Sequence, residues 1–174
     1  IKRDKNSETK ELIFSYLHEL KGMLNYQSIP IGSSFDLEIS HHKGLQNFRK
    51  VGAFLFNIID REYAKKLIVM LPKQKHPNHH HKEKTESFLI VSGKLFIKNN
   101  NKKFTLRPGD IYHVKKNTWH QFKAGDTGCI FEEISTRAIK SDSYYKNKKL
   151  KKLKRTDRKT FINNWFSVKN ILNN

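Results

Sequence analysis

The sequence predicts an all-β domain, a sandwich or small barrel flanked by helices. Three observations predict it. From residue 51 the chain breaks into short apolar runs of strand length. Gly, Pro and Asn clusters separate those runs at close intervals. Helical periodicity is confined to the two ends. A chain of 174 residues has the size of one domain. Its hydrophobic content of 36%, with 12 Phe, 6 Tyr and 2 Trp, is enough to seed a core and excludes a disordered chain.

Residues 7–25 read as a helix, with Ser7 as a capping residue and Leu12, Phe14, Leu17 and Leu20 near helical spacing; Gly22 weakens its end. The stretch 26–50 is loop-rich, with a short strand at 35–39. Strand-like runs follow at 51–59, 66–71, 87–91, 94–98, 102–106, 110–114, 120–124 and 128–135. The pair 94–98 and 102–106, joined by three asparagines, is a hairpin. The basic run KNKKLKKLKR at 146–155 carries seven cations and no acid, and reads as a solvated linker or helix face. Residues 160–172 read as a helix placing Phe161, Trp165, Phe166 and Leu172 on one face, to cover the barrel or pack on a partner. The expected organisation is an N-terminal helix and loop extension (1–50), a barrel (51–136), and a C-terminal basic segment and helix (137–174).

No apolar run reaches the roughly 18 residues of a membrane-spanning helix. The single Cys129 excludes an internal disulfide framework and fits a reducing, cytoplasmic compartment. The start IKRDKNSETKEL has no apolar signal core. Because the chain begins at Ile1, a piece of a longer protein is expected. The net charge of +19 arises from 28 Lys and only 7 Arg, accompanied by 15 Asn. Nucleic-acid surfaces favour Arg for bidentate contacts, so biased composition explains the charge better than nucleic-acid binding.

The chemistry concentrates in HPNHHHKEKTESFLIVSG, residues 76–93. In a strand, residues two apart share a face, so His79 and His81 aim at one point. Glu86 returns across a turn, and His120 supplies a fourth donor. Three imidazoles and one carboxylate suit one divalent ion: Mn, Fe, Co, Ni or Zn. His80 falls on the opposite face, and His76 is expected to be exposed or behind the ligands. His113, alternating with Tyr112 and Val114, is a candidate for the cavity side.

Here the sequence resembles the cupin superfamily. The first cupin motif, G-x5-H-x-H-x3,4-E-x6-G, is met by His79, His81, Glu86 and Gly93, with Lys73 at the first Gly. The second, G-x5-P-x-G-x2-H-x3-N, is met by Gly109 and His120, with Lys115, Asn117 and Ala124 at Pro, Gly and Asn. The resemblance covers roughly 50–136. It implies a double-stranded β-helix (jelly-roll) barrel with the metal inside, and a homodimer. It does not imply one reaction.

A narrower resemblance, through HHHKEKTES and FEEIST, is to the D-lyxose isomerase family of cupins. It implies manganese, a small sugar substrate, and catalytic roles for Lys84 and Glu133. The physics of aldose–ketose isomerisation fits those residues. A carboxylate at Glu133 can take the proton beside the carbonyl, and Lys84 can shuttle a proton or support an oxyanion. Glu132 should point the other way. The segment 135–145 would close one barrel end, making Arg137 and Tyr144 candidates for binding a hydroxyl, carboxylate or phosphate. Two other readings compete: a non-catalytic metal- or sugar-binding module of a larger carbohydrate-biosynthesis enzyme, and an iron-dependent dioxygenase.

Overall fold

The computed structural model describes residues 5–137, 139 and 141–166. The N-terminal helix α1 spans Lys5–Tyr26. It starts before Ser7 and runs past Gly22, so neither residue bounds it. Its buried stripe is Ile13, Tyr16, Leu17, Leu20 and Leu24, with Leu12 and Phe14 half-buried beside it.

Among the described residues ten strands form one hydrogen-bonded system. They are β1 (Asp36–Ser40), β2 (Ala53–Asp60), β3 (Tyr63–Met70), β4 (Lys75–His80), β5 (Glu86–Asn99), β6 (Lys102–Leu106), β7 (Ile111–Val114), β8 (His120–Thr136), β9 (Tyr144–Tyr145) and β10 (Lys159–Ile162). A short helix α2, Lys148–Lys152, lies between the last two. Strands β5 and β8 are long and belong to both layers of the barrel. The C-terminal half of β8 pairs with β3 on one edge and with Glu86–Gly93 of β5 on the other. Its N-terminal half pairs with β4 and with the remainder of β5. Both strands change layer at glycines. Gly93 has φ 77°, and a Cβ there would sit 2.2 Å from the Gly128 carbonyl oxygen. Only glycine allows that close approach.

Period-2 alternation sorts the inner strands into two cores. Leu67 and Val69 of β3 face α1 together with Phe54, Phe56 and Ile130. Ile68 and Met70 face the barrel interior with Phe88, Ile90, Phe122, Cys129 and Phe131. Burial pushes the Cys129 thiol up to about 12, so it is protonated and inert at neutral pH. Both non-glycine substitutes in the cupin turns are left-handed, Lys73 at φ 60° and Asn117 at φ 58°. The turns persist without glycine, and Asn is the side chain that tolerates this conformation best.

The C-terminal expectation needs correction. Residues 159–162 form β10, which extends the sheet by pairing with β1; residues 163–166 are turns, and 167–172 lie outside the described residues. Leu37↔Ile162 and Glu38↔Phe161 bring this strand beside β1, so strand pairing overrides a helix-like spacing of aromatics. Trp165 is still an anchor. It is buried, packs edge-on against Phe56 at 4.9 Å, and donates its indole N–H to the Gly32 carbonyl at 3.3 Å. Trp165→Ala should cost about 3–5 kcal/mol. That corresponds to a melting temperature lower by about 2–4 °C per kcal/mol, read by calorimetry. An unchanged transition would show that the tail does not brace the barrel.

Candidate metal centre and active site

Strand β4, the turn after it and the starts of β5 and β8 deliver four donors to one buried point. The register pairs His79 with His120. His81 lies one residue beyond β4, and Glu86 opens β5. All four are buried, and their ligand atoms lie within 4.8 Å of one another. Donors about 2.0–2.2 Å from a common ion are separated by about 3–4.4 Å, so little contraction is needed.

The hydrogen bonds behind the ligands fix which nitrogen faces the centre. His79 Nδ1 lies 3.0 Å from the Pro77 carbonyl, and His120 Nδ1 lies 2.9 Å from the Thr118 carbonyl. His81 Nδ1 bonds the Asp142 carbonyl. A carbonyl only accepts, so each Nδ1 carries the proton and each Nε2 presents a lone pair inward. Those lone pairs meet a carboxylate. His120 Nε2 is 3.2 Å from Glu86 Oε2, and His81 Nε2 is 3.3 Å from Glu86 Oε1. Glu86 Oε2 and His120 Nε2 are buried and make no hydrogen bond. Acceptors facing acceptors in a buried space call for a cation between them. These residues therefore fit a divalent ion.

Electrostatics reinforce the ligand set. Burial opposes ionisation of Glu86, but the Lys84 ammonium at 2.6 Å outweighs it and holds the carboxyl well below the usual range. Burial, followed by His120, His76 and His81, holds His79 well below an ordinary imidazole, leaving it neutral and ready to ligate.

Beside this cluster runs a chain of alternating charges. Lys66 Nζ and Lys84 Nζ each lie 3.0 Å from Glu133 Oε1, and Lys84 continues to Glu86. Glu133 comes from β8, opposite Lys66 of β3 and Phe88 of β5. Alternation sends Glu132 outward, where it pairs with Lys65 at 2.8 Å. Burial would raise the Glu133 carboxyl, but Lys66 and Lys84 hold it below its ordinary value. Burial would depress the Lys84 ammonium, but Glu133 and Glu86 raise it above its ordinary value instead.

Two sequence candidates lie elsewhere. His113 is exposed on the outer side of β7, its Nδ1 2.8 Å from Ser87 Oγ, so it does not face the cavity. Arg137 is exposed and does not line the cavity at the cluster. Tyr144 is near the site but outside it, stacked on His80 at 5.2 Å. His76 stacks on Phe122 at 4.5 Å, directly behind His79, with its Nε2 3.1 Å from His42 Nε2.

Lys66 and Asp142 carry structural roles at the site that the sequence did not announce. The buried Asp142 carboxylate accepts from the backbone N–H groups of Lys82, Glu83 and Lys84, at 2.8, 3.0 and 3.1 Å, and thereby shapes the turn between His81 and Glu86. Asp142→Ala should weaken metal binding about 10–100-fold, the usual effect of losing a group that orients ligands. A metal titration by calorimetry reads this directly, and unchanged affinity would deny Asp142 that role.

The family model of the cupin domain matches residues 66–132, the segment that carries all four donors. The barrel has the cupin fold. Around it the chain is similar to two curated relatives. One is the D-lyxose ketol-isomerase of Thermofilum sp., 29% identical over 57% of this chain and 70% of that protein. The other is the D-lyxose/D-mannose isomerase of Thermosediminibacter oceani, 25% identical over 63% of this chain and 76% of that one. The chain also superposes on the crystal structure of Cellulomonas parahominis L-ribose isomerase with L-ribose. That match has a TM-score of 0.65 at 12% identity, over 82% of this chain and 94% of that one. It extends the shared fold beyond the cupin segment into the flanking elements. No helix among the described residues is long and apolar enough to cross a membrane.

Proposed function

We propose that this cupin is a metal-dependent aldose–ketose isomerase of the D-lyxose isomerase type, with manganese as the expected ion and a homodimer as the expected assembly. One observation carries the reading: a buried, ionised carboxylate, Glu133, sits beside the three-His, one-Glu cluster and is held there by two lysines. The names of the curated relatives point the same way.

A divalent ion held by His79, His81, Glu86 and His120 would polarise the carbonyl of an open-chain sugar. Glu133 takes the proton from the carbon beside that carbonyl and returns it to the carbonyl carbon. The hydroxyl proton passes between the two adjacent sugar oxygens, from the one that becomes the new carbonyl to the one that becomes the new hydroxyl. The lowered pKa of Glu133 keeps it ionised at neutral pH, so it is always in the accepting form, at some loss of basicity. Lys84 is held as ammonium by two carboxylates. Of its two candidate roles this favours the oxyanion partner over the shuttle, because a strongly held proton is a poor one to transfer. Lys66 keeps Glu133 aimed inward while Lys84 engages the sugar oxygen. An iron dioxygenase would leave this Lys–Glu–Lys chain without a task.

The test is a panel of aldoses and ketoses offered to protein loaded with each candidate metal and to chelated protein. Interconversion that disappears on chelation is the expected result. Sugar binding without any interconversion would favour the non-catalytic module instead.

A further inference from the structure

The space at the metal centre is small, about 60 Å³, room for a few waters but not for a sugar. Ser143 and Tyr145 form part of its wall, and the same two residues line a second, outer pocket of about 510 Å³. A molecule reaching the ligands from this side would pass through or displace that wall and leave its far end outside.

The outer pocket has a definite chemistry. Its cations are Lys82, Lys151 and Arg158, and no acidic residue lines it. Trp119, Tyr144 and Tyr145 supply aromatic faces. Arg158 stacks over Tyr145, 4.7 Å from the ring centre, and Lys82 lies 4.6 Å from that of Tyr144. The guanidinium Nε and Nη1 are buried and make no hydrogen bond. Guanidinium cannot relieve unpaired donors by losing a proton at ordinary pH. Arg158 therefore stands at the wall of a cationic pocket with donors still unpaired, and a guanidinium fork is suited to hold two oxygens of a phosphate or carboxylate. Two further ammonium groups nearby suit a dianion.

We infer that this pocket holds the phosphate of an aldose phosphate, the sugar's carbonyl end reaching past Ser143 and Tyr145 to the metal centre. The inference rests on the isomerase reading for its substrate but not for its binding site. The arginine that serves the mouth of the barrel is then Arg158, not the exposed Arg137.

The experiment compares, by calorimetry on the metal-loaded chain, the affinities of D-ribose, D-ribose 5-phosphate and D-glucuronate. The phosphate should bind about 10–100-fold more tightly than the free pentose, the usual range for charge-assisted hydrogen bonds. Rising salt should narrow the gap. In Arg158→Gln, with metal content unchanged, the ratio should fall towards one. The exposed pair Lys82→Met/Lys151→Met should reduce it by a smaller factor, and carries the comparison if the Arg158 variant fails to fold. Equal affinity for pentose and its phosphate, tighter binding of glucuronate, or a ratio that survives these substitutions would overturn the assignment. Binding is read without turnover. A phosphate preference with no isomerisation would therefore refute the isomerase reading while leaving the phosphate site standing.

Discussion

The double variant His79→Ala/His81→Ala will lose stoichiometric divalent metal. Both imidazoles are buried and aimed at Glu86 and His120, and a site reduced to one imidazole and one carboxylate has too few donors to compete with solvent. The wild-type chain gains stability from an ion that binds only the folded state, by about 2.7 kcal/mol when the free ion is a hundredfold above its dissociation constant. The variant forgoes that gain, so its transition should fall about 5–11 °C below that of the metal-loaded wild type. Elemental analysis checks the first claim and calorimetry the second. Full occupancy in the double variant would refute the ligand set. Acidification should act in the same direction, since imidazoles must be neutral to ligate. The metal-free chain should also lose stability on the acid side. Burial is the leading cause that keeps His42, His76 and His79 well below an ordinary imidazole. The unfolded chain therefore takes up protons below about pH 6.5 that the folded chain refuses. The contribution of these neutral histidines is complete above that pH and declines as pH falls.

Glu133→Gln should reduce isomerisation about 10²–10⁴-fold, the usual contribution of a positioned acid–base group. The amide keeps the shape but cannot accept a proton at Oε1, the atom now shared by Lys66 and Lys84. Metal content should hold, because Glu133 is not among the four donors. Lys84→Met should also slow turnover, and it additionally removes the cation that holds Glu86 ionised, so some loss of metal affinity is expected with it. Glu133→Gln with wild-type kcat would leave the reaction without its base.

The parts of this molecule that were legible in the sequence are local. His79, His81 and Glu86 lie within eight residues, and strand periodicity with one turn is enough to converge them. The hairpin strand β6 matches the expected 102–106. What escaped is set by register. Runs at 87–91 and 94–98 are one strand, β5, and runs at 120–124 and 128–135 are one strand, β8. Glycines that usually punctuate strands here let two backbones approach while pairing continues. Lys66 sits in an ordinary apolar run, and nothing local reveals that β3 places it opposite Glu133. Asp142 approaches the site from the C-terminal segment, 58 or more residues beyond the turn it shapes, and Arg158 comes from further along the same segment to stack on Tyr145. Over 160–166, the described part of the helix expected at 160–172, the reading failed for the same reason: an open edge of β1 outweighs a four-residue aromatic spacing.

The central claim is that this barrel removes a proton from the carbon beside a sugar carbonyl. Proton NMR in deuterium oxide measures that step without requiring net product. Metal-loaded wild-type chain, incubated with aldoses and aldose phosphates, should replace the C2 proton of at least one of them with deuterium, and Glu133→Gln or chelation should stop the exchange. Retention of that proton across the whole panel, in protein shown by elemental analysis to hold its metal, would contradict the account.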